Sequence, residues 1–235
     1  IDLWEEVASN NTYASACTWI AFLSLAHLAD TLGDTDLATP WYTEARHLKS
    51  AIERHLWSEQ HRRFLRGRNQ LLFSEEVARL RQDPLAHLHE TTILGQQRFL
   101  SDDDPTVDIS LLGLSVPCGV FAPDDPRIIA TTHAIREHLS GPNGGILRYQ
   151  HDGYRGGNPW VLCTLWLAWQ EFEQGDMDMA IQHYRWVLDH ATALDLLPEQ
   201  VDRQTGEPCW IAPLAWSHAM FVLVTNSLAS LGLLP

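Results

Sequence analysis

Apolar residues at helical spacing dominate this chain, and two joints between such stretches share one pattern. Gly33-Asp34-Thr35-Asp36-Leu37-Ala38 and Gly175-Asp176-Met177-Asp178-Met179-Ala180 both read Gly-Asp-x-Asp-apolar-Ala. Each ends an apolar helix at a glycine, the residue best suited to the left-handed turn past a helix end, and then opens an amphipathic helix. That is the signature of an αα-hairpin. The joints lie 142 residues apart, which gives no support to a short-period solenoid. It suits a toroid of helix pairs whose long loops gather at one end and build a site.

Residues 12–32 carry Ala16, Trp19, Ile20, Leu23 and Ala26 in register, and residues 37–56 carry Leu37, Trp41, Ala45, Leu48 and Ile52 on one face. Asp125-Pro126 is a cap followed by proline at the first helical position, ahead of Ile128, Ile129, Ile135 and Leu139. Asn158-Pro159 repeats the device before Leu162, Leu165, Trp166 and Trp169. Asp176 opens the next helix, and the last spans residues 216–231. Residues 57–73 mix basic and apolar side chains and suggest a short hairpin, whereas residues 79–104 carry little periodicity. No run approaches the ~18 apolar residues needed to span a bilayer. No composition change marks a domain boundary.

The chain has 16 basic and 30 acidic residues, a formal charge of −14. Nucleic acid and anionic membrane surfaces both need Lys and Arg, so neither is expected as a partner. A neutral ligand is compatible. Ten Trp supply flat apolar faces with polar rims, which suit sugar rings, although Trp at helical spacing serves a core equally well. Cys17, Cys118, Cys163 and Cys209 show no CxxC spacing and read as buried free thiols, pointing to a reducing, cytoplasmic compartment. There is no metal motif, phosphate loop or dinucleotide fingerprint, so no cofactor is expected.

Two acidic motifs stand at opposite ends: Asp2-Leu3-Trp4-Glu5-Glu6-Val7 and Leu196-Leu197-Pro198-Glu199-Gln200-Val201-Asp202. Paired carboxyls are what cleavage of a glycosidic bond requires. One protonates the leaving oxygen, and in an inverting enzyme the other activates a water, at a separation of ~6.5–9.5 Å. Trp4 offers an apolar wall that would raise the pKa of Glu5, and an ionised Glu6 would push the same way. Pro198 places Glu199 in a loop at a helix end. Taken alone, Glu5-Glu6 reads equally as two acids in a first helical turn.

Between these motifs lie Gly144-Gly145-Ile146-Leu147-Arg148-Tyr149, Asp152 and Gly156-Gly157-Asn158-Pro159-Trp160. Their glycines permit close approaches that side chains would forbid. A bland account is a glycine-rich loop with Arg148 paired to Asp152. Ser217 and His218 are adjacent in the last helix, so their side chains point about 100° apart and suit capping or packing better than a relay.

With these motifs in this order, the chain resembles the catalytic domain of glucoamylase-type glycoside hydrolases, family 15, and its bacterial and archaeal members in particular. The resemblance implies Glu5 as general acid and Glu199 as general base. Trp4, Glu6, Arg148, Tyr149, Asp152, Trp160 and Gln200 would bind or shape the sugar site. It implies inverting, exo-acting release of β-glucose from α-glucans or malto-oligosaccharides, without cofactor or metal. Alternatives are the same fold acting on trehalose or α-1,6-glucan, or a non-hydrolytic helical scaffold or sugar-binding module. The family fold is an (α/α)6 barrel. Six or seven helices are readable here, so the expectation is an all-α C-terminal part of such a toroid spanning residues 1–235. The N-terminal helices would lie outside it, the missing N-terminal half would be its partner, and the isolated piece would have little activity.

Overall fold

In the computed structural model, residues 1–82, 88–230 and 232 are described. They form two compact units, residues 1–106 with 118–120, and residues 107–117 with 121–235.

The first unit begins with β1 (Asn10–Asn11) and continues into α1 (Thr12–Thr31), which Asn11 caps by accepting the Ala14 N–H. Gly33, at φ +79°, ends it, and Asp34 caps α2 (Thr35–His55) by accepting the Leu37 N–H. Both helices match the spacing of the sequence. They pack as a hairpin, with Phe22 stacked on Trp41 at 5.6 Å and the Tyr42 hydroxyl donating to Asp30 at 2.7 Å. Among the described residues, α1 is the one helix long and apolar enough to cross a membrane by length and composition. The expectation that no run reaches that length is corrected accordingly. Ser, Thr and His interrupt the apolar residues of α1 without pulling its average out of the spanning range.

The expected hairpin is present: β2 (Trp57–Ser58) pairs antiparallel with β3 (Arg63–Phe64). Next come β4 (Gly67–Leu72), α3 (Ser74–Leu80), β5 (Leu88–Ile93) and β6 (Gln96–Asp104). An antiparallel sheet of order β1-β4-β6-β5 results. The chain is therefore mostly helical with some β-sheet, and the all-α expectation needs that correction. The reason is local. Leu94 and Gly95 both take positive φ, the two-residue turn that matches strand twist, so β5 and β6 close as a tight hairpin. Their faces are largely exposed, so no apolar alternation marks them. The Arg66–Asp104 pair, 2.6 Å apart and buried, anchors the inner edge of β6.

The second unit is helical around α5 (Val161–Glu173), whose residues 161–168 are all buried. A 3-10 helix (Ile109–Leu114) and α4 (Pro126–Leu139) supply Ile109, Leu112, Ile128, Ile135 and Leu139 to the same core. Asp125 caps α4 at Pro126, as the sequence implies. Asn158, by contrast, does not cap α5. The cap position is Trp160, whose extended backbone bridges Ile146 and Gln200. Asp176 opens α6 (Met177–Asp189) past Gly175. Glu171, fully buried in α5, joins Arg136 of α4 at 2.8 Å and His183 of α6 at 2.7 Å. A short hairpin of β7 (Gln200–Val201) and β8 (Pro208–Cys209) precedes α7 (Ala215–Ser230). The expected end of that helix at residue 231 lies outside the described residues.

Candidate active site

Arg148 and Asp152 form the electrostatic centre of the second unit. The guanidinium donates from Nε to Asp152 Oδ2 at 2.7 Å and from Nη2 to Oδ1 at 2.9 Å, a two-pronged pair with both side chains buried. Asp152 Oδ1 also accepts the Tyr154 N–H at 2.8 Å. Three rings face the guanidinium, with centroids 5.0 Å away for Tyr149, 4.8 Å for Tyr154 and 5.0 Å for Trp160. The ion pair of the bland reading thus exists, inside an aromatic enclosure.

The glycines of the motif act as the sequence suggests. A Cβ on Gly157, at φ +66°, would lie 2.5 Å from the Asp152 carbonyl oxygen, and one on Gly145 would lie 2.3 Å from the Trp186 ring. These two positions let the Arg148 loop fold back on itself and on α6.

Glu199 is 8% exposed, in the loop between α6 and β7. Its backbone is tied on both sides, N–H to Ile211 O at 2.8 Å and C=O to the Val161 N–H at 3.2 Å. Burial pushes the carboxyl above the usual range, while the Gln200 amide and the charges of Arg148 and Arg155 pull it back. Gln200 is fully buried. It donates to Glu199 Oε2 at 3.2 Å and accepts from Asn158 Nδ2 at 3.2 Å, so it orients the carboxylate rather than facing a ligand. Arg148, Tyr149, Asp152, Trp160, Glu199 and Gln200 therefore belong to one neighbourhood of this unit.

Trp4, Glu5 and Glu6 belong to the first unit. A buried Asp2 builds their turn, with Oδ1 accepting the N–H of Glu6 at 2.8 Å and of Val7 at 3.0 Å. Glu5 takes φ +61°, an uncommon left-handed conformation for a non-glycine residue. Trp4 is buried but Glu5 and Glu6 are exposed, which corrects the expected apolar wall around the Glu5 carboxyl. The two acids are not in a first helical turn either, since α1 starts at Thr12.

The sequence reading missed Arg155. Its guanidinium acts on Glu199 and sits 4.1 Å from the ring centroid of a half-exposed Trp210. Both residues have positive φ, and only the flanking Gly156-Gly157 hints at so tight a loop. Among the described residues, no group of three or more His, Cys, Asp or Glu is placed to hold a metal ion.

The family model for glycosyl hydrolases family 15 matches residues 1–178. An uncharacterized glycosyl hydrolase of Methanocaldococcus jannaschii is 28% identical over 94% of this chain and 33% of its own length. An isomaltose glucohydrolase of Kribbella flavida is 36% identical over 55% of this chain and 35% of its own. The chain thus spans about a third of the length of these relatives. A bacterial glucoamylase crystallised with acarbose superposes with TM-score 0.75 at 24% identity, covering 95% of this chain and 34% of that one, a likeness of fold.

Proposed function

The chain belongs to glycosyl hydrolases family 15, and on that premise we propose that it carries the acid–base pair of an inverting, exo-acting α-glucoside hydrolase. Glu199 draws a proton from a water as that water attacks the anomeric carbon, and Glu5 delivers a proton to the departing glycosidic oxygen. Attack on the face opposite the leaving group turns an α-linkage into β-glucose. Arg148, held by Asp152, grips sugar hydroxyls, with Tyr149, Trp160 and Trp4 as ring-facing surfaces and Glu6 as a further polar contact. Gln200 keeps the base oriented.

One observation carries this reading: a nearly buried carboxylate, raised by burial, beside a buried Arg148–Asp152 pair ringed by aromatic side chains. A carboxyl so placed is a stronger base than one in water. In the full-length protein, Glu5→Gln and Glu199→Gln are each expected to abolish glucose release from maltose. Undiminished release in both variants would overturn the mechanism.

A second reading keeps the chemistry and changes the linkage. The 36% identity to an isomaltose glucohydrolase favours an α-1,6-linked substrate, and named trehalases stand among the more distant relatives. Initial rates on maltose, isomaltose and trehalose separate these possibilities.

A further inference from the structure

The segment Leu197-Pro198-Glu199 has five backbone hydrogen-bonding groups, because Pro198 lacks an N–H. All five have partners. Leu197 C=O accepts the Leu214 N–H at 3.0 Å, and the Glu199 N–H and C=O are tied to Ile211 and Val161. The other two groups reach side chains of α7. The Leu197 N–H donates to His218 Nε2 at 3.0 Å, and the Ser217 hydroxyl donates to Pro198 C=O at 2.9 Å. Ser217 is fully buried and Leu197 is 4% exposed, so water is a poor substitute for either bond.

We propose that Ser217 and His218 are positioning residues for Glu199. Neighbours on a helix point about 100° apart, yet both reach this segment because it runs across the first turn of α7. As acceptor, Nε2 carries no proton, so the ring proton is on Nδ1. If the acceptor is lost, a buried Leu197 N–H is stranded two residues from the carboxylate, and the segment must shift to satisfy it. A displacement near 1 Å at a reacting group costs on the order of 100-fold in rate. The proposal rests on the reading of Glu199 as base, and the experiment separates the two.

In the full-length protein, kcat and KM on the best of maltose, isomaltose and trehalose are measured for Glu199→Gln, His218→Phe, His218→Gln and Ser217→Ala. Glu199→Gln tests the base itself, and retained activity there sinks the function rather than the positioning. With Glu199→Gln inactive, His218→Phe is expected to lower kcat by about 10- to 100-fold with KM within about twofold. His218→Gln, whose terminal oxygen can still accept from Leu197, should recover to within about threefold of the parent. Ser217→Ala should lower kcat in the same manner as His218→Phe, and it carries the test if that variant fails to fold. Parental kcat in both His218→Phe and Ser217→Ala overturns the proposal. So does an equal loss in His218→Phe and His218→Gln, which would mark a bulk packing role.

Discussion

Removing the Asp152 carboxylate leaves the Arg148 guanidinium charged and buried, a state in which the remaining charge costs more than the lost bonds contributed. Side-chain exposure in this pair is 5% and 0%, and both prongs are short, at 2.7 and 2.9 Å. Breaking such a pair from one side costs about 3–5 kcal/mol. The Tyr154 N–H also loses its acceptor. Against this, the rings of Tyr149, Tyr154 and Trp160 still face the cation and offset part of the loss, which places Asp152→Ala near the lower bound, at about 3 kcal/mol. In a chain of 235 residues that corresponds to a fall in Tm of about 6–12 °C, followed by far-ultraviolet circular dichroism. Arg148→Met with Asp152→Ala removes both charges and should recover at least half of the loss. If Asp152→Ala melts within about 2 °C of the parent, or the double variant is as damaged as the single, the reasoning fails.

Other consequences concern each of the two units. Burial raises the Glu199 carboxyl above its unfolded value, so the folded state loses stability as pH rises through the folded pKa. Glu199→Gln should therefore raise Tm at pH ~7, with the gain fading below pH ~4, where the unfolded carboxyl is also protonated; an equal gain at both pH values would contradict this. Gly157→Ala should lose about 1–3 kcal/mol through its positive φ and the contact with the Asp152 carbonyl, read from denaturant midpoints, and parental stability would refute it. Hydrogen bonds from Cys118 and Tyr13 draw the Cys17 thiol below its ordinary range, whereas Cys163 is fully buried and pushed up. Iodoacetamide at pH ~7 should label Cys17 first, by peptide mass mapping, and earlier labelling of Cys163 would show the opposite order.

Much of the helical frame was legible in the residues themselves. The cap Asp125, the turn glycines Gly33 and Gly175, and the apolar registers of α1, α2 and α4 act over a few neighbours, so local physics decides them. Family membership was legible too, because the acidic motifs and the Arg148 loop are contiguous strings. Tertiary structure decided what depends on distant partners. Trp160 rather than Asn158 stands at the start of α5, because Trp160 bridges Ile146 and Gln200 while Asn158 bonds Gln200 and Arg203 across more than forty residues. Strands β5 and β6 show no apolar alternation, since the pairing of β6 with β5 on one side and β4 on the other, rather than burial of one face, sets their register. The environment of Glu199 likewise depends on Arg155, Gln200, Ile211 and the first turn of α7 meeting in space. A sequence names the carboxylate; only the assembled chain determines what covers it, what bonds it and how strongly it holds a proton.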